Sequence, residues 1–365
     1  MILTAGPSIT NLEIEYVNDA VQNGWNENWN LYLKRLEEAF SSKFFMPHTL
    51  ATSCCTGAMH MGLKALEIGA GDEVVVPELT WVATASAVRY CDAIPVFVDV
   101  DPETWTICPK SLEKAITPKT KVVMPVHLYG HPAKMDEVTA VAEKNNLRIF
   151  EDAAPAIGAK FRDQFTGTFG DLSAFSFQGA KLMVTGEGGM LMAKDSKLFA
   201  KIRQYAEHGR SADSNKGAFW IEEVGFKYKM SNIQAALGLA QFERLDELIE
   251  KKRQIFSWYE ARLGEIDGIA LNREADWAKS IYWMTSIYLK KNFKRTRNEL
   301  IEFLKKNEVD SRPVFPAISN YPMWPTMNNP VANHIGQNAI NLPSGHNLTE
   351  DQIDYVCKLI ERGLL

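Results

Sequence analysis

LRIFEDAAPAIGAKFRDQFTGTFGDLSAFSFQGAKLMVTGEGGML (147–191) is the stretch on which the fold turns. It opens with an apolar run, LRIFED (147–152), that ends in two carboxylates. A second run, LSAFSF (172–177), ends in a turn that bears Lys181, and a Gly-rich hairpin then leads into a further apolar strand. Short apolar or β-branched runs bounded by turn residues read as buried strands. Toward the N-terminus the same kind of run recurs as EVVVP (73–77), IPVFVDV (94–100) and KVVMPVH (121–127). Between them lie helical patterns such as AKMDEVTAVAEKN (133–145), where Met135, Val138, Val141 and Ala142 share a face. Asp136 and Glu137 stand near its start, where the helix dipole favours acids. The alternation predicts an α/β chain with a mainly parallel central sheet and crossover helices on both faces.

Toward the C-terminus, residues 233–262 lack Gly and Pro except for Gly238 and keep apolar positions at helical spacing. They predict one long helix, or two joined ones, leaving the sheet. We place a domain boundary there: residues 1–245, with an N-terminal arm, form a large domain, and 246–365 a small α+β one. The small domain holds IYWMTSIYLK (281–290), a helix near 296–307 and a last helix near 349–363. The basic run Lys290, Lys291, Lys294, Arg295 and Arg297 reads either as a polyanion patch or as a solvated strand-to-helix turn, and its shortness favours the turn.

The 365 residues, 46% hydrophobic and 23% charged, suit two lobes or one large unit and are far from the composition of disorder. Forty basic against forty-five acidic residues give a net charge of −5, so the molecule as a whole has no electrostatic reason to bind nucleic acid or anionic lipid. Five cysteines without CxxC pairs argue against a disulfide framework and a structural zinc site. The start, MILTAGPSITNLEIEY, lacks a basic segment followed by an apolar one, and no stretch approaches the ~18 apolar residues of a membrane span. A cytoplasmic protein is expected.

Three segments carry chemistry. In SCCTGAMH (53–60), small residues lead into a helical pattern; free amides there, with the Ser53 and Thr56 hydroxyls, suit a phosphate, although plain N-capping explains the same residues. The segment lacks the GK[ST] end of a nucleotide-triphosphate loop. Asp152, at the carboxyl end of a strand where open α/β sheets place ligands, suits a cationic ring nitrogen or the cap of the next helix. Lys181 is flanked by Ala180, Leu182, Met183 and Val184, and an apolar setting disfavours ammonium and leaves a nucleophilic amine. An amine for an aldehyde, a carboxylate for a pyridine nitrogen and a helix start for a phosphate are together the parts of a pyridoxal 5′-phosphate site. Trp81, in PELTWVATA, either lies over the cofactor ring or packs in the core.

With these residues in place the chain resembles the DegT/DnrJ/EryC1/StrS sugar aminotransferases, which have the fold type I of pyridoxal-phosphate enzymes. The resemblance runs from GPSIT and GWNENW through GDEVVVPELTWVATASA, PVHLYGHPAKMD, EDAAPAIGA, GTFGDLSAFSF and GAK…TGEGGM to SNIQAALGLAQFERLDELIEKKR and INLPS. It implies a homodimer with shared active sites. Lys181 would bond covalently to the cofactor and shuttle protons, Asp152 would pair with the pyridine nitrogen, and Trp81 would stack on the ring. Cys55, Thr56 and Ser176 fall at phosphate positions, and Asn232 at the residue given to the phosphate by the other subunit. The implied reaction is a ping-pong transamination from L-glutamate, which leaves as 2-oxoglutarate, to a nucleotide-diphosphate sugar.

Some positions depart from the family pattern. Pro155 stands where many members carry Gln, Glu or His, and Lys227 and Lys229 stand where Asn and Arg are frequent. Members that dehydrate instead of transaminating carry His at the position of Lys181. GAK followed by TGEGGM looks like the enzymes that aminate carbon 4 of a 4-keto-6-deoxyhexose, whereas the carbon-3 enzymes usually read PTKNLG…GDGG here. A carbon-3 enzyme and a non-catalytic relative are the alternatives; a nicotinamide oxidoreductase lacks its GxGxxG. His127 and His131 have HxxxH spacing, but Gly130 and Pro132 oppose a zinc-binding helix, which leaves a loop role or, for His127, a substrate contact. His208, Arg210 and Arg312 are further candidate contacts to the sugar or its diphosphate.

Overall fold

The computed structural model describes residues 1–211, 216–217 and 219–365. Seven strands form the central sheet: β1 (His48–Thr52), β2 (Glu73–Pro77), β3 (Ile94–Val98), β4 (Thr120–Val123), β5 (Arg148–Asp152), β6 (Leu172–Ser176) and β7 (Gly189–Ala193). Their order is β1-β7-β6-β5-β4-β2-β3. The pairs from β6 to β3 are parallel, and β7 runs antiparallel to both β6 and β1. The expected mainly parallel sheet is therefore present, with the strand after the Gly-rich hairpin as its one reversed member.

Because side chains alternate along a strand, each strand feeds two cores. On one face Leu172, Ala174, Leu191 and Val76 pack against helices α3 (Cys55–Ala65), α4 (Ala83–Tyr90) and α7 (Ser196–Ala206). On the other, Phe175, Met190 and Met192 meet α2 (Leu31–Phe44) and α8 (Asn232–Glu243), while Val75, Val123 and Ile149 meet α5 (Pro109–Ala115) and α6 (Met135–Lys144). Helices thus cover both faces, as expected. Of the two readings of 233–262, two joined helices is the one formed: α8 is opened by a Ser231–Gln234 capping box, and Arg244 (φ −99°, ψ 9°) separates it from α9 (Leu245–Leu263).

Beyond that break the early part of α9 still belongs to the first core through Leu245 and Leu248, whereas Ile255, Tyr259 and Leu263 join another. That core lies under a four-stranded antiparallel sheet, β8 (Ile269–Leu271), β9 (Ser286–Leu289), β10 (Arg312–Pro313) and β11 (Ala339–Asn341), in the order β8-β9-β11-β10. Helices α10 (Arg297–Lys306) and α12 (Glu350–Leu364) close it. The chain start returns here: Ile2 bridges Val309, and the Thr4 hydroxyl donates to Asp310 at 2.5 Å. The basic run is a strand-to-helix turn whose charges are dispersed: Lys291 pairs with Asp267, and Arg295 and Arg297 donate to main-chain carbonyls. Among the described residues no helix is long and apolar enough to cross a membrane.

Candidate active site

The sheet register assembles the site. Asp152 ends β5 and Ser176 ends the neighbouring β6, and Gly189 of β7 pairs with both Ser176 and Thr52 of β1. The start of α3, which follows β1, is thereby brought beside Ser176 at the carboxyl edge. Gly189 makes the approach possible: a Cβ there would stand 2.8 Å from the Cys55 amide nitrogen and 2.7 Å from the Phe175 carbonyl oxygen. Both are main-chain atoms that cannot swing away. We expect Gly189→Ala to lower stability by about 1–3 kcal/mol, read as a lower melting temperature of the apoprotein, and to weaken phosphate binding at the helix start.

A cleft of about 560 Å³ opens at this edge, lined by Cys55, Thr56, Trp81, Asp152, Ser176 and Lys181, together with Arg312 from β10. Its size suits a small-molecule site. Cys55 and Thr56 open α3, where first-turn amides have no intrahelical acceptor, and the Cys54 sulfur caps the turn by accepting from the Gly57 amide at 3.3 Å. Trp81, 54% exposed, lines the cleft. Pro155, a departure from the family pattern, also lines it.

Asp152 is 4% exposed and accepts from the Thr84 hydroxyl at 2.6 Å and from the Ala154 amide at 3.1 Å. Burial raises its pKa; those hydrogen bonds and the Lys181 charge work against the rise. For Lys181 burial dominates and lowers the amine to about 8, while the Asp152 charge partly opposes it. The Lys181 Nζ lies 3.7 Å from the centre of the Trp283 ring.

His127 is corrected. It is fully buried: its Nδ1 accepts from the Ala133 amide at 3.0 Å, which leaves Nε2–H to donate to Glu151 at 2.9 Å. Glu151 in turn accepts from the amides of Gly167, Phe169 and Gly170, so the pair ties loops to β5 and has nothing left for substrate. His208 and Arg210 are exposed in the turn after α7 and do not line the cleft of their own chain; the Arg210 guanidinium lies 5.8 Å from the Phe219 ring. Asn232 is buried at the start of α8, also away from that cleft: its Oδ1 accepts from the Tyr32 amide at 2.9 Å, and its Nδ2 has no partner among the described residues.

The sequence reasoning missed Thr84, Trp283, Phe315 and Asn341. Thr84 sits three residues after Trp81, within the quoted PELTWVATA, at the spacing that puts both on one helix start. The others lie more than a hundred residues past Lys181, Trp283 and Phe315 in loops and Asn341 at the end of β11. Trp283, Tyr129 and Phe315 form a stack with centroid separations of 5.9 and 5.5 Å, and Phe315 meets Trp81 at 5.6 Å, so one wall of the cleft is aromatic.

An amine of lowered basicity close to a buried carboxylate, beside a helix start and two hydroxyls, fits pyridoxal 5′-phosphate; the fold and site are those of an aminotransferase that depends on it. The model of the DegT/DnrJ/EryC1/StrS aminotransferase family matches residues 7–361, and the chain belongs to that family. It is 38% identical over 368 residues to GDP-perosamine synthase of Caulobacter vibrioides, covering 100% of this chain and 98% of the relative. The GDP-perosamine synthase of Escherichia coli O157:H7 is 37% identical over 97% and 96% of the two chains. A UDP-N-acetyl-3-dehydro-α-D-glucosamine 3-aminotransferase of Acidithiobacillus ferrooxidans is 33% identical over 91% and 88%. The PLP-form structure of Spr1654 from Streptococcus pneumoniae superposes with a TM-score of 0.89 at 27% identity, covering 99% of each chain.

Proposed function

We propose that this enzyme transfers the amino group of L-glutamate to carbon 4 of a nucleotide-linked 4-keto-6-deoxyhexose, forming a sugar of the GDP-perosamine or dTDP-viosamine type. The observation that carries the reading is the GAK…TGEGGM segment, which sets Lys181 in the cleft in the form typical of carbon-4 enzymes. The full-length similarity to two perosamine synthases supports it.

Pyridoxal 5′-phosphate, when bound, supplies an aldehyde for the amine and a ring that draws in the charge left when a proton departs. Lys181 provides the amine and, once released, takes the proton at Nζ and returns it. Asp152, oriented by Thr84, balances positive charge at the ring nitrogen. The Cys55 and Thr56 amides and the Thr56 and Ser176 hydroxyls hold the phosphate, and Trp81 covers the ring. Asn232 serves the cleft of a second copy in a homodimer, for which its unused Nδ2 is suited. Arg312 supplies fixed positive charge for the carboxylate or diphosphate of the substrates.

Incubation with glutamate and GDP- or dTDP-linked 4-keto-6-deoxyhexose should yield 2-oxoglutarate and a sugar whose amine NMR places at carbon 4. An amine at carbon 3, with 3-keto substrates preferred, would establish the alternative that the 3-aminotransferase relative favours. Because the neutral amine is the nucleophile, cofactor attachment to the apoprotein should quicken as pH rises and level off above about 8.

A further inference from the structure

Lys252, in α9, is 2% exposed, and its Nζ donates to the main-chain carbonyls of Trp283, at 3.2 Å, and of Ser344. Among the described residues no carboxylate acts on it, and His346 is the titratable group that senses its charge. Burial without a counter-ion lowers this amine to about 7, and charged or neutral it keeps the hydrogens that fasten two loops, one of which carries Trp283 to the cleft. The loop of Trp283 is also held at its far end, where the indole Nε1 donates to the carbonyl of Ala180, the residue before Lys181, at 2.6 Å. The ring fixed between these anchors is the one 3.7 Å from Lys181 Nζ, and a ring face attracts a cation at that distance.

We infer that Trp283 is a platform for the ammonium form of Lys181, the form the side chain takes when it carries a proton, and that Lys252 is a positioning residue acting through Trp283. The titratable groups around Lys181 itself are Asp152 and Cys55, whose thiol is pushed well above its ordinary range by burial and stays neutral. The inference rests on Lys181 being the lysine that holds the cofactor, which borohydride reduction and peptide mapping test separately.

The test follows the pH midpoint for covalent attachment of pyridoxal 5′-phosphate to the apoprotein, read by absorbance. Loss of the ring in Trp283→Leu should destabilise ammonium and lower the midpoint by about 0.4–1.5 pH units. Lys252→Met should lower it too, by less. Lys252, lowered to about 7, carries little charge near that midpoint; losing what remains would raise the midpoint of a nearby lysine, and a purely structural defect would lower the melting temperature without moving the midpoint, so a fall isolates the route through Trp283. The double variant Trp283→Leu/Lys252→Met should fall no further than Trp283→Leu alone. An unmoved midpoint in Trp283→Leu, an unmoved or raised one in Lys252→Met, or additive shifts would overturn the inference. If Lys252→Met does not fold, Lys252→Gln replaces it, and the Trp283→Leu result decides the platform role by itself.

Discussion

Lys181→Ala is expected to fold, to bind pyridoxal 5′-phosphate only by its phosphate and ring contacts, and to lose turnover by at least about 10³-fold, the range of losing a positioned proton carrier. Among the described residues Lys181 is the one lysine that lines the cleft, so its own chain offers no second amine there. Lys181→Arg sharpens the test. It keeps a positive charge in place, but a guanidinium does not release its proton, and it should be as inactive as the alanine variant. Absorbance spectra before and after glutamate addition, with assays of 2-oxoglutarate release, provide the measurements. Undiminished turnover in either variant would remove Lys181 from the chemistry.

Asp152→Asn should keep the fold and lose about 10²–10³-fold in rate, the cost of removing one preorganised electrostatic group. An amide can still meet the Thr84 hydroxyl and the Ala154 amide, but it carries no charge with which to balance a ring nitrogen. Stability should move the other way from activity. Burial raises the folded-state pKa of Asp152, so the folded chain binds more protons than the unfolded one just above the ordinary carboxylic range, and stability declines as pH rises through that window. Asparagine removes this penalty, and at pH 7 the variant apoprotein should melt no lower than the parent. Parental turnover would exclude the role assigned to Asp152, and a lower melting temperature would exclude the account of its burial.

Much of this was legible in the sequence because parallel strands write themselves as short apolar runs, and because ligands gather where those runs end. LRIFED put Asp152 at the carboxyl end of a strand, PELTWVATA put Trp81 just after another, and Ser176 at the end of LSAFSF came from the family resemblance. The reversal of β7 and the pairing of β1 were not readable, since register depends on partners distant in the chain. For His127 the loop role, one of the two left open, fits and the substrate contact does not: local sequence says nothing of burial, and Glu151, which accepts its proton, lies on a strand 24 residues away. The aromatic wall was invisible because Trp283 and Phe315 reach the cleft from loops whose local patterns announce only a strand and a turn.

That wall also makes the molecule self-reporting. Of nine tryptophans, Trp81 and Trp283 border the cleft, close enough to a bound chromophore for their excited states to pass energy to it. Emission from the untreated protein should therefore dim as sites fill and recover as they empty, giving a label-free optical titration.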